Sequence, residues 1–251
     1  MKQIIKQDGW EALREFTDAR IALGRSGNSI PIQKELEFRL AHAHARDAVH
    51  SVMDVDALID ALKIYKLPVL ALSSQVTGRA QYLQRPDLGR LLDMTSASMV
   101  AEFSAPNDLA IIIADGLSAT AINQNLLPLL AVLVPKLVSV GLQPGPMSVV
   151  QQARVAIGDP IGDGLQSKVA LVLIGERPGL SAPDSIGAYI TYHPKAGLTD
   201  ESRNCVSNIR PKGLSFERAA DTILYIILES LKRKLSGTLL KNNAGSIGNS
   251  F

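Results

Sequence analysis

DLAIIIAD, residues 108–115, and SKVALVLIG, residues 167–175, constrain the fold of this chain more than any other feature. Each is a nearly continuous run of Ile, Leu, Val and Ala, without the apolar–polar alternation of a strand that faces water on one side. Such runs belong to strands covered on both faces, the situation in a parallel sheet. Shorter runs add strand candidates: VLALS at 69–73, MSVVQQARV at 147–155 and AYITY at 188–192. Helical patterns lie between them, notably at 118–140 and 215–235. Strands alternating with helices predict an α/β sandwich with a mostly parallel sheet. Pro128 and Pro135 fall inside the first long helical pattern and predict a break or kink there.

Before Leu67 the pattern is helical. DGWEALREFTDARIAL, residues 8–23, puts Trp10, Leu13, Phe16 and Thr17 on one face. A Gly- and Ser-rich loop, 24–31, precedes a helix over 32–49, in which Leu36, Leu40 and Ala43 recur at helical spacing. A third helix covers 54–66 with Asp54 as its N-cap. The expected organisation is therefore a helical segment over 1–66, an α/β domain over 67–240 and a polar, disordered tail over 241–251. Gly-Leu-Ser occurs at 116–118, 179–181 and 213–215; at 116 and 213 a helical pattern follows, which the serine can cap. In GDPIGD, residues 158–163, Asp159 and Pro160 read as an N-cap and first helical residue.

Composition excludes several function classes. A chain of 251 residues is long enough to bury a core without staples. The net charge of +2 gives no general attraction to nucleic acid or acidic membranes. Aromatic residues make up 4 %, too few for base-stacking surfaces. Cys205 is the one cysteine, so no internal disulfide forms and a reducing, cytoplasmic setting is expected. MKQIIKQDG, residues 1–9, lacks the apolar segment of a secretory signal.

The usual chemical signatures are missing. Neither a G-x-x-x-x-G-K-[ST] phosphate loop nor a G-x-G-x-x-G dinucleotide fingerprint is present, nor H-E-x-x-H or C-x-x-C. On a helix, His42 and His44 point about 200° apart and His50 lies about 12 Å from His42 along the axis, so these three do not converge on a metal. His193 reads as a loop histidine. Arg85, Asp87 and Arg90 surround a turn in which Asp87 reads as a cap. Asp115, after the most apolar strand, suits either a ribose contact or a turn cap. RNCVSNIRPKG, residues 203–213, reads as a polar loop rich in donors and acceptors, suited to a ligand carrying many amides. Glu176 ends a buried strand beside Arg177, on a turn stiffened by Pro178 and Gly179. Its carboxylate is an acceptor-only partner for amide groups. Its bland alternative is a salt bridge to Arg177 or a contact to a nearby turn.

Six segments together resemble the small (light) subunit family of ethanolamine ammonia-lyase: RIALGRSG at 20–27, YLQRPDLGR at 82–90, IIADGLSATAI at 112–122, RVAIGDPIGDGL at 154–165, LIGERPGLSAPDS at 173–185 and RNCVSNIRPKGLS at 203–215. GERPGL, NCVSNIRP and DGLSA are the specific ones. The resemblance implies a Rossmann-like domain with an N-terminal helical part. It also implies a large-subunit partner whose β/α barrel binds ethanolamine, with adenosylcobalamin between the subunits and six large and six small chains in the assembly. The implied reaction converts ethanolamine to acetaldehyde and ammonia by radical chemistry. The family's cobalamin contacts fall on Val155, Glu176 and Cys205; no catalytic or metal-binding residue is carried over. The absence of D-x-H-x-x-G implies that the cofactor keeps its own dimethylbenzimidazole as lower ligand. A cytoplasmic complex is expected, and the residues leave open whether a bacterial microcompartment encloses it. The competing reading is a stand-alone Rossmann-like enzyme acting on a nucleotide through Asp115 and Glu176.

Overall fold

A computed structural model describes residues 8–240. Six strands form one sheet: β1 (Val69–Ser73), β2 (Asn107–Ala114), β3 (Pro144–Gln151), β4 (Ser167–Gly175), β5 (Ile186–Tyr192) and β6 (Arg203–Ile209). Their order across the sheet is β1-β3-β2-β4-β5-β6. The β1–β3, β2–β3 and β2–β4 pairings are parallel; β4–β5 and β5–β6 are antiparallel. The sheet is thus mixed, parallel through its first four positions and antiparallel at one edge.

Among the described residues there are seven α-helices: α1 (Ile32–His50), α2 (Val55–Leu62), α3 (Arg79–Gln84), α4 (Met94–Glu102), α5 (Ala119–Ser139), α6 (Gly158–Gly164) and α7 (Phe216–Arg233). The apolar runs are double-faced for a visible reason. Leu109, Ile111 and Ile113 of β2 pack with α2, α5 and α7 on one face. Ala110, Ile112 and Ala114, the alternate residues, pack with α4 and α6 on the other. Leu58 and Leu62 of α2 belong to the same cluster as α5 and α7. Among the described residues, α5 is the one helix long and apolar enough to cross a membrane. Ten of its residues are instead buried in the protein core.

Local signals account for most element ends. The side chains of Asp54, Ser118 and Ser215 accept hydrogen bonds from the N–H groups of Ala57, Ala121 and Arg218 and start α2, α5 and α7. Such caps satisfy donors that a first turn leaves free. Four expectations need correction. Residues 8–23 form only a 3-10 turn, Glu11–Phe16, followed by irregular chain; Trp10 and Phe16 are exposed, so no core face holds a helix there. Pro128 and Pro135 do not break α5. Asp87 makes no cap bond but pairs with Arg85. The polar loop expected over 203–213 is largely strand β6, whose Arg203, Val206 and Ile209 point inward. The tail expected over 241–251 lies outside the described residues.

Candidate functional site

The connections leaving β2 and β3 go to opposite faces of the sheet: α5 follows β2 on one, α6 follows β3 on the other. Adjacent strands that diverge in this way leave a crevice at their carboxyl ends, where ligands of open α/β sheets bind. Asp115, the first residue after β2, closes the floor of this crevice. It is buried, and its two carboxylate oxygens accept hydrogen bonds from the N–H groups of Gln152 (2.8 Å) and Ala153 (3.0 Å), just after β3. Arg79 lies 4.0 Å from one of those oxygens. Burial pushes the Asp115 carboxyl above its ordinary value, while the two N–H groups and Arg79 pull it down. With both oxygens engaged by the main chain, Asp115 is a structural tie between strands rather than a ribose ligand.

Two glycines bring the next strand end against this floor. Gly116 has φ +57°, and a Cβ there would lie 2.1 Å from the Gly175 carbonyl oxygen. A Cβ on Gly175 would lie 2.0 Å from the Ser118 carbonyl oxygen. The turn after β2 and the end of β4 therefore touch main chain to main chain, and the Leu117 N–H donates to the Gly175 carbonyl at 3.0 Å. Only residues without side chains permit that approach.

Glu176 follows at once. Its N–H donates to the Ser185 carbonyl (3.0 Å), closing the loop between β4 and β5. One carboxylate oxygen, Oε2, accepts the N–H of Asn208 at the end of β6 (3.1 Å). The other, Oε1, has no donor among the described residues. Glu176 makes no ion pair with Arg177 there either. The bland alternative is thus met in part, by a turn contact that uses half of the carboxylate.

Val155 opens a 3-10 turn (Val155–Ile157) after β3 and is half-buried. The first N–H groups of such a turn have no partner within it. Cys205 is an exposed residue of β6, opposite Tyr189 of β5. The Tyr189 hydroxyl and the Cys205 thiol belong to directly paired residues that line one cavity. Withdrawal of these two atoms from water pushes both groups above their ordinary values; the Tyr189 contact opposes the rise at the thiol, and the Glu176 charge adds to it.

These residues meet in two adjoining cavities. One, of about 440 Å³, is lined by Gly116, Val155, Gly175, Glu176 and Arg177; the other, of about 280 Å³, by Arg90, Val155, Asp200 and Cys205. Arg154, Val155 and Tyr189 line both. Val155 thus sits at the junction, with Glu176 on one side and Cys205 on the other. His42, His44 and His50 lie along α1, away from this crevice, and no metal-binding cluster is found among the described residues. His193 lies in the turn after β5, its N–H donating to the Lys168 carbonyl.

Sequence reasoning passed over two parts of the site. The buried Arg203–Asp159 pair, whose arginine lines the smaller cavity, joins β6 to α6 at 2.6 and 2.8 Å. Asp159 is therefore not the N-cap it resembles. Arg154 was passed over too, although it stands beside Val155 in RVAIG.

Residues 7–241 match the family described as ethanolamine ammonia-lyase light chain (EutC). The chain belongs to that family. It is 49 % identical over 242 residues to the ethanolamine ammonia-lyase small subunit of Azotobacter vinelandii, covering 95 % of this chain and 90 % of the relative. The corresponding proteins of Ralstonia nicotianae and Pseudomonas putida are 47 % and 48 % identical, covering 96 % and 95 % of this chain and 90 % and 89 % of theirs. Membership makes the chain a subunit of an ammonia-lyase complex that has a large-subunit partner. The competing reading, a stand-alone nucleotide enzyme, gives way to this one.

Proposed function

We propose that this chain forms the cobalamin-facing wall of an ethanolamine ammonia-lyase complex, with Val155, Glu176 and Cys205 as its contacts to adenosylcobalamin. The observation that carries the proposal is their convergence: residues far apart in sequence line two cavities that share one wall at the carboxyl ends of the strands. The donor set fits the group. The rim of a corrin bears several primary amides, and each one buried without a partner costs about 1–3 kcal/mol. Glu176 Oε1 is an unengaged acceptor of the kind an amide N–H requires. Val155 and Cys205 contribute main-chain groups and shape, since neither side chain pairs well with an amide.

When bound, adenosylcobalamin supplies a carbon radical through homolysis of its cobalt–carbon bond, and the overall reaction converts ethanolamine to acetaldehyde and ammonia. The role of this chain is to bind and orient: it holds the corrin edge, excludes water from it and fixes its position against the large subunit, which holds ethanolamine. The chain is inactive alone. The complex contains six large and six small chains and works in the cytoplasm, with enclosure in a bacterial microcompartment a natural setting for an aldehyde-producing enzyme.

The test is Glu176→Gln in the complex reconstituted with the large subunit. The glutamine oxygen can keep the Asn208 N–H, which turns its NH2 toward the cofactor in place of a carboxylate oxygen. Loss of a charge-assisted hydrogen bond predicts a cobalamin Kd raised about ten- to a hundredfold. Assembly, followed by size, and the ethanolamine KM at saturating cofactor stay unchanged. An unaltered Kd in a correctly assembled complex would leave Glu176 with the Asn208 contact as its whole function.

A further inference from the structure

Guanidinium groups without carboxylate partners surround the junction of the two cavities. Arg154 lines both, Arg177 lines the larger and Arg90 the smaller. None of the three forms an ion pair among the described residues. Only two carboxylates share these walls: Glu176, whose Oε2 takes the Asn208 N–H, and Asp200, which lies 3.4 Å from Arg203. The crevice therefore carries more positive than negative charge, although the chain as a whole is nearly neutral.

Arg154 is held in place with great care. Its guanidinium stacks on the ring of Tyr82 at 4.1 Å, and Arg79 stacks on the same ring at 4.6 Å. Tyr82 is fully buried, with its hydroxyl donating to the Ala153 carbonyl at 2.9 Å. Arg154 donates from Nη2 to the Tyr82 carbonyl at 3.0 Å, yet its Nε is buried with no partner. Nη2 of Arg79 is likewise buried and unpaired. An unpaired donor on a buried cation is costly. Arg154 lines both cavities, and its Nη1 makes no hydrogen bond among the described residues, so a guanidinium pinned through Nη2 offers a free nitrogen at the cavity wall, a site preorganised for an anion. Arginine's planar fork matches phosphate oxygens, which a lysine meets only as a point charge.

The inference rests on the cofactor reading above and deepens it. Cobalamin carries one ordinary anionic group, the phosphodiester that links its side chain to the ribose of the lower-ligand nucleotide. We propose that Arg154, flanked by Arg90 and Arg177, grips that phosphodiester, while Arg79 and Tyr82 hold Arg154 in position. The chain then reads the cofactor at two places: Glu176 at a neutral corrin amide and Arg154 at the nucleotide loop.

The test uses the reconstituted two-subunit complex, with cobinamide and cobinamide phosphate as optical probes. They share one corrin and differ by the phosphoryl group. The wild-type complex should bind cobinamide phosphate about ten- to a hundredfold more tightly. Arg154→Gln should abolish that preference and leave the cobinamide Kd within about twofold, which also shows that the crevice is intact. Arg154→Lys should keep part of the preference. Added salt should weaken cobinamide phosphate more than cobinamide. Inorganic phosphate should compete with the former and spare the latter. Equal binding of the two probes by the wild type would overturn the phosphodiester subsite alone, as would a preference that survives Arg154→Gln. Failure of the wild-type complex to bind either probe would overturn the cofactor reading together with the subsite.

Discussion

Removing the charge of Asp159 tests how the antiparallel edge of the sheet is fastened to its parallel body. Arg203 and Asp159 form a two-pronged pair at 2.6 and 2.8 Å, with side chains 2 % and 5 % exposed. Arg203 also donates to Thr191 Oγ1 (3.2 Å) and the Leu198 carbonyl (3.3 Å). Asp159→Asn keeps the shape and one acceptor oxygen but leaves a buried guanidinium uncompensated. The nearest remaining carboxylate, Asp200, stands 3.4 Å from Nε with its side chain 77 % exposed, so water screens it. Breaking a buried pair from one side costs about 3–5 kcal/mol. The retained oxygen and Asp200 place this case at the low end, about 3 kcal/mol. For a chain of this size each kcal/mol moves Tm by about 2–4 °C, so Tm should fall by about 6–12 °C. Far-UV circular dichroism during heating measures it, with urea denaturation as a check. The double variant Asp159→Leu with Arg203→Met removes both charges and should recover most of the loss, because a buried pair is often matched by well-packed apolar groups. A drop of less than about 2 °C in the single variant, or a double variant no more stable than the single, would refute this account of the edge.

Two further perturbations probe other parts of the same framework. In Gly175→Ala the new methyl would meet main-chain oxygens at 2.0 Å (Ser118) and 2.6 Å (Asp115), neither of which can rotate away. The chain should lose at least about 1–3 kcal/mol of stability, and the cobalamin Kd should rise as the two strand ends separate; unchanged urea unfolding would contradict the close approach. Asp108 is held below its ordinary value of 3.8 by Lys168 at 2.8 Å, with help from the Gln143 N–H. A depressed carboxylate stabilises the fold above its unfolded pKa, and this contribution disappears as pH falls through the folded value. The wild type should therefore lose stability below about pH 4 more steeply than Asp108→Asn, as measured by urea midpoints across the acid range; parallel profiles would exclude this pair as a source of the acid sensitivity.

The amino-acid sequence alone determined what depends on neighbours along the chain. The apolar runs of β2 and β4 read as doubly covered strands because every residue, odd or even, must be apolar when both faces are packed. Asp54, Ser118 and Ser215 read as caps because a cap acts over three residues. Glu176 read either as a crevice residue or as a turn contact, because a pair of charges after a buried strand suits both. Tertiary structure decided whatever depends on distant partners. Residues 8–23 have a helical pattern, but no core surface lies beneath Trp10 and Phe16. Arg203–Ile209 is mostly polar and became a strand because β5 offered its open edge. Asp159 has the local form of a cap, yet Arg203, in β6, determines its role. Arg154 has nothing in its immediate sequence to distinguish it from other arginines. Its unpaired, stacked guanidinium exists only where Tyr82, Arg79 and the ends of three strands meet, because charge compensation is settled by spatial neighbours and not by sequence neighbours.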